Sequence, residues 1–236
     1  LCQFDGSGTT EPDGDTVSYQ WDFVYDGNPV TIFGINPTFL FEIPGNYEVT
    51  LTASDKDGFD NDTMTVTLSY KDDHILLMNG WNLISFKVDV SGQDVADLFA
   101  PVMNSINTIM AYDNQAKEWK IYNKDTPEWL NTLKDVDHTM GLWVECIPFF
   151  VVLSVQGKDV STTTMNLYAG WNLVGYPSVT QMSAETILSG TFFDGLQVFD
   201  DGAIYLISDM PPTSNMVENT GYWVHVPADT SYIVNY

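Results

Sequence analysis

The chain has 236 residues, enough for one large domain or two to three small ones, each with its own core. A hydrophobic content of 44% with 14% aromatics argues for packed globular structure despite the charge. Eight Lys and no Arg against 32 Asp and Glu give a net charge of −24, which excludes nucleic acid and anionic membrane as partners and favours cations.

Residues 1 to 70 read as short alternating strands separated by turn chemistry. Val17 to Phe23, Tyr47 to Ala53 and Thr63 to Leu68 place apolar side chains at every second position. Between them lie Asp5-Gly6-Ser7-Gly8, Pro12-Asp13-Gly14-Asp15, Pro44-Gly45-Asn46 and Asp57-Gly58, where Gly supplies positive φ. Strands at this spacing predict an antiparallel β-sandwich.

The ordered motifs Phe4-Asp5-Gly6-Ser7-Gly8, Pro12-Asp13-Gly14-Asp15, Trp21-Asp22-Phe23, Pro44-Gly45-Asn46-Tyr47 and Asp55-Lys56-Asp57-Gly58 resemble the signatures of a polycystic kidney disease (PKD) domain. The resemblance covers residues 1–71. It implies an Ig-like sandwich and an exported parent protein. Two departures stand out: Val24-Tyr25-Asp26-Gly27 is one residue longer than the usual pattern, and the family's first strand is missing, so the chain reads as cut from a longer polypeptide.

Lys71-Asp72-Asp73-His74 reads as a short polar linker, after which the sequence repeats itself. Leu77 to Phe86, with Gly80-Trp81-Asn82-Leu83, matches Leu167 to Tyr176, with Gly170-Trp171-Asn172-Leu173, at an offset of 90. Gly141-Leu142-Trp143-Val144 matches Gly221-Tyr222-Trp223-Val224 at an offset of 80. Two landmarks in the same order predict a duplication, with units at 75–158 and 165–236.

Within the units, Asp94 is a cap for a helix through Val95, Leu98, Phe99 and Val102. Thr126-Pro127 opens a second helix and Ser183 caps a third. Thr108 to Tyr112 pairs with Glu118 to Tyr122, and Leu196 to Phe199 pairs with Ala203 to Ile207 through Asp200-Asp201-Gly202. Both units resemble Gly-Trp-Asn-Leu repeats of secreted and surface-layer-like proteins of archaea and some bacteria, a family that lends no biochemical role. The fold class expected overall is mainly β: a sandwich followed by two β-rich units with short helices.

Calcium is the expected ligand. It takes six to eight oxygens in a flexible cage, and Asp-x-Asp spacing in a Gly-containing turn supplies several from one segment. Glu11, Asp13 and Asp15 alternate in one turn, and Asp55, Asp57, Asp60 and Asp62 crowd another. The first candidates are Asp13, Asp15, Asp55 and Asp57, with Asp60 and Asp62 next and Asp5, Asp22 and Asp26 behind. The competing reading is solvated turns, since Asp bonds its own backbone there. PKD domains in similar proteins bind calcium near such loops, which tips the balance. Asp72 and Asp73 are read as linker polarity, and Asp200, Asp201 and Asp209 as loop polarity.

The repeated Trp81, Trp143, Trp171 and Trp223 are expected to anchor the cores of their units. Trp119 and Trp129, present in the first copy only, are the candidates for a surface that stacks on sugars. Cys2 and Cys146 exclude a disulfide framework and a cysteine zinc site and leave open a single long-range bridge, and Cys146 is expected to pack as a small hydrophobe. His74, His138 and His225 stand apart, with no metalloprotease, nucleophile-elbow or phosphate-loop motif, so no enzyme is expected. Asn61-Asp62-Thr63 fits a glycosylation sequon.

No stretch is apolar for long enough to insert in a bilayer. The function expected is a calcium-stiffened extracellular adhesion or interaction module, with a cell-surface protein or polysaccharide as partner. The alternative is an accessory region that positions a secreted protease or glycoside hydrolase.

Overall fold

A computed structural model describes residues 2–235, so Leu1 and Tyr236, the outer ends of the expected first and last units, lie outside the described residues. The chain divides into two compact units, 1–70 and 71–236. Strands dominate both, and among the described residues no helix is long and apolar enough to cross a membrane.

The first unit contains β1 (Cys2–Gln3), β2 (Ser18–Tyr25), β3 (Asn28–Phe33), β4 (Thr38–Phe39), β5 (Gly45–Ser54) and β6 (Phe59–Leu68). A four-stranded antiparallel sheet of order β3-β2-β5-β6 is accompanied by the short pair β1-β4. Alternation puts Trp21 and Phe23 of β2 and Tyr47 and Val49 of β5 inside, where Phe4 and Phe41 complete an aromatic core. Phe4 lies 5.0 Å from Trp21, ring centre to ring centre, and the buried indole donates to the Gly34 carbonyl at 2.9 Å. The segment that departs from the family pattern is regular here. Val24 and Tyr25 stay in β2, and Asp26 and Gly27, with φ of 51° and 71°, make a two-residue turn of the type whose twist matches a hairpin.

The second unit begins with no linker. Residues 71–74 lie inside β7 (Tyr70–Ile84), because alternation continues through them: Asp73, Ile75 and Leu77 all point inward. Then follow β8 (Gln93–Asp94), α1 (Val95–Phe99), β9 (Ile106–Asp113), β10 (Glu118–Tyr122), β11 (Asp135–Val136) and β12 (Leu142–Lys158). The second half repeats the series as β13 (Thr162–Leu167), β14 (Gly170–Gly175), β15 (Met182–Ser183), α2 (Ala184–Ile187), β16 (Gly195–Phe199), β17 (Ile207–Asp209), β18 (Asn215–Met216), β19 (Gly221–Val226) and β20 (Thr230–Asn235). The halves are laid out alike: β10-β9-β12-β7 in one four-stranded sheet, β17-β16-β19-β14 in the other.

Asp94 accepts from Ala96 N at 2.7 Å and caps α1, whereas Ser183 makes no such cap and bonds Thr186 instead. Thr126-Pro127 opens only a single 3₁₀ turn over Glu128–Leu130, with Thr126 Oγ1 turned back to the Asn123 carbonyl. The hairpin after Phe199 also differs from expectation. Its return strand starts at Ile207, since the backbone makes two successive turns, Ala203 N to Asp200 O and Leu206 N to Ala203 O.

Each half has its own core. One runs from Ile75 to Val155 and includes Cys146, packed as an apolar side chain, and the other runs from Met165 to Val234. Cys2 and Cys146 are free thiols. The repeated tryptophans are in neither core. In β12 Leu142 and Val144 point into the core, so Trp143 points to the opposite face, which meets the other half. There Leu83, Trp143 and Leu173 are buried with Trp81, Tyr112, Phe199 and Trp223 around them. Trp143 stands edge-on to Phe199 at 5.8 Å and Trp223 lies 5.2 Å from Tyr112, so each half's tryptophan packs on an aromatic ring of the other.

The contacts across this seam are reciprocal. Ile84 bridges Thr220, and Met140 bridges Val174. A Cβ on Gly221 would come within 2.9 Å of Leu83, and one on Gly141 within 2.8 Å of Leu173, so each half presents a glycine for the other's leucine to cover.

Candidate functional site

The acidic residues of the first unit gather where the β5–β6 turn meets residues 5–15. Asp55 folds that turn: its Oδ1 accepts from Asp57 N and Gly58 N, both at 2.8 Å, and its own N–H donates to Gly58 O. Glu11 does the same for its neighbours, accepting from Asp13 N at 3.0 Å and Asp15 N at 2.6 Å. Glu11, Asp15 and Asp55 thereby offer carboxylate oxygens all within 4.8 Å of one another, each partly buried. Lys56 is the local counter-charge. Its ammonium is 2.7 Å from Asp15 Oδ2 and 3.7 Å from Asp57 Oδ2, but its side chain is two-thirds exposed. The contact to Asp15 is an ion pair out of line for a hydrogen bond, since Oδ2 is otherwise buried without a donor.

An open cleft of about 730 Å³ adjoins this group, and Asp5, Glu11, Asp55, Asp57, Asp60 and Asp62 line it. Asp5 accepts from Ser7 N at 2.8 Å, and hydrogen bonds from Ser7 hold its carboxyl below the usual range. Asp60 and Asp62 do not belong to the turn. They lie on edge strand β6, separated by one residue so that they share a face, and each accepts from the N–H that follows it. Asn61 of the sequon is exposed on the same strand.

Of the expected ligands, Asp15 and Asp55 are brought together and Asp57 sits beside them across Lys56. Asp13 is exposed and stands outside the group, and Glu11 takes its place. The alternation Glu11-Pro12-Asp13-Gly14-Asp15 does not show which carboxylate turns inward. The signal is the backbone turn through residues 12–14, with a φ of 78° at Gly14, which folds the N–H groups of Asp13 and Asp15 onto Glu11. Asp22 is held by Gln20 and Thr31 on the outer face of the sheet, and Asp26 is in the β2–β3 turn, so neither joins the site.

Residues 1–70 match the model of the PKD domain family. These residues form a PKD domain. They are 37% identical over 70 residues to Collagenase ColQ1 of Bacillus cereus (strain Q1), a match that covers 30% of this chain and 7% of the collagenase. No solved structure matches the chain. The candidate carboxylates all lie within the PKD domain.

In the second unit, Trp129 is 80% exposed on its 3₁₀ turn, and Trp119 is 42% exposed, packed on Tyr112 and Trp223. The histidines are engaged in structural contacts. His74 Nδ1 is 2.9 Å from Ser154 Oγ, and His225 bonds Asp194. His138 is buried between Asp89 Oδ1 at 3.1 Å and Thr163 Oγ1 at 2.8 Å. Burial raises the Asp89 pKa, but hydrogen bonds from His138 and Ser91 outweigh it and hold the carboxyl well below the usual range.

Proposed function

We propose that this chain is a non-catalytic, extracellular interaction module of an exported surface protein, and that calcium stiffens its PKD domain. The observation that carries the calcium reading is the convergence of Glu11, Asp15 and Asp55, contributed by two separate turns, on one point at the mouth of an acidic cleft. Carboxylates so close repel one another unless a cation lies between them, and the exposed Lys56 offsets only part of that charge. A calcium ion there would take one oxygen from each and fill its remaining positions with carbonyls and water. The non-catalytic reading rests on the same residues serving as turn caps and on the histidines being held in structural bonds.

The test is thermal unfolding of the full chain in millimolar calcium and in chelator. A ligand present at 100 times its Kd adds about 2.7 kcal/mol to the folded state, and in a domain this small each kcal/mol moves Tm by about 5 °C. The first unit should melt higher in calcium, and Glu11→Gln with Asp55→Asn should remove the shift. Identical melts in calcium and chelator would sink the calcium reading.

A second reading is favoured by the similarity to a collagenase: an accessory region that positions a secreted hydrolase on its substrate. Co-sedimentation separates the two. Retention on insoluble collagen or polysaccharide, reduced severalfold by Trp129→Ala, supports substrate positioning, and passage of the chain through both matrices favours the adhesion reading.

A further inference from the structure

Asp73 lies on β7 with its side chain wholly out of solvent, where a carboxylate persists only if it is paired and hydrogen-bonded. Lys87 N donates to its Oδ2 at 2.9 Å, and Asn219 Nδ2 lies 2.9 Å from both carboxylate oxygens. The Lys87 ammonium is 3.4 Å from Oδ1, with Glu218 Oε2 at 3.0 Å as its second partner. A primary amine and a primary carboxamide, 132 positions apart in sequence and on opposite halves of the second unit, therefore meet at one buried carboxylate.

The fold does not require this trio. At the offsets that relate the two halves, Asp73 corresponds to Thr163, Lys87 to Pro177 and Asn219 to Thr139. On that side the seam is closed by Thr163 and the buried His138 instead. Asn219 also adopts a left-handed φ of 57°, and its amide makes a further contact of 3.3 Å with Ser85 O.

We propose that Lys87 and Asn219 become joined by an intramolecular isopeptide bond, with Asp73 as the acid–base group. Burial lowers the Lys87 pKa, but Glu218 and Asp73 outweigh it and hold the amine protonated at rest, so Asp73 must first accept a proton from Nζ. The neutral amine then attacks Asn219 Cγ and forms the new C–N bond. Asp73 returns its proton to the carboxamide nitrogen, the Cγ–Nδ2 bond breaks, and the nitrogen leaves as ammonium with the two protons that Lys87 gives up. Asp73 ends as the carboxylate it began as, and no oxidant or cofactor is consumed. The product ties the segment that follows β7 to the loop before β19 across the seam, a covalent staple in a unit whose only cysteine, Cys146, is a free thiol.

Intact-mass measurement of the full chain decides the matter. The expected result is a mass one ammonia below that of the sequence, with a branched peptide joining Lys87 and Asn219 in the digest. Lys87→Arg, which keeps the positive charge beside Glu218, should restore the full mass, as should Asn219→Ala and Asp73→Ala. The full sequence mass in the unaltered chain overturns the proposal, whatever the variants do. So does an ammonia deficit that survives Lys87→Arg, which would place it outside the Lys87–Asn219 pair, as in a succinimide at an asparagine.

Discussion

Asn82 and Asn172 show why the repeated motif needs each of its residues. Asn172 Oδ1 accepts from Tyr168 N at 2.8 Å, and its Nδ2 donates to Tyr168 O, Gly170 O and Val224 O. Asn82 makes the same four bonds to Met78, Gly80 and Val144. The glycine two residues earlier has a φ of 88° in one half and 93° in the other, a turn that an L side chain resists, and the buried amide closes it onto the neighbouring strand. Asn172→Ala leaves these backbone groups buried without partners, so it should cost about 1–3 kcal/mol in denaturant unfolding. Asn172→Asp should cost more, because it exchanges donors for a buried negative charge. A wild-type midpoint in either variant would remove the motif's structural rationale. Residue pattern made this asparagine visible as part of a repeat; its four partners belong to a turn and to a strand 52 residues away.

At the scale of the element, strand alternation explains both what was legible and what was not. The period of two in β2, β5, β7 and β12 is plain in the sequence and sets which residues face inward. It does not say whether the second face meets water or protein. Trp143 and Trp223 occupy that second face, and only the approach of the other half makes it a second interior. The polar segment 71–74 hid its strand for the same reason: a buried Asp breaks the apolar pattern, and its partners come from Lys87 and Asn219. Trp143→Ala should cost about 3–5 kcal/mol, the range for deleting a buried large aromatic. Because the ring touches Phe199, hydrogen exchange should speed up in β16 as well as in β12. Loss of protection confined to β12 would show that the shared cluster does not couple the halves.

Across the second unit as a whole, the halves are joined by polar contacts as well as aromatic ones. Asp89 and His138 of the first half reach Thr163 of the second. Because the folded-state pKa of Asp89 is depressed, the folded protein binds fewer protons there than the unfolded chain. Its contribution is present above the unfolded carboxylate range, near pH 4, and is lost as pH falls toward the folded value. Asp89→Asn should be less stable than the parent at neutral pH and lose less stability on acidification below about pH 4. Parallel pH profiles would show that Asp89 is not linked to folding.

The sequence by itself determined what local physics controls. Strands follow from alternation, turns from Gly and Asp chemistry, the PKD domain from five motifs in order, and the likeness of the two later units from spaced landmarks. The tertiary structure decided what depends on approach in space. It placed Glu11 rather than Asp13 beside Asp15 and Asp55, because backbone turning, and not composition, selects which carboxylate faces the neighbouring loop. It also moved Trp81, Trp143 and Trp223 from the cores to the seam, and brought Asp73, Lys87 and Asn219 together, since a contact between residues far apart in sequence leaves no periodic trace in either segment.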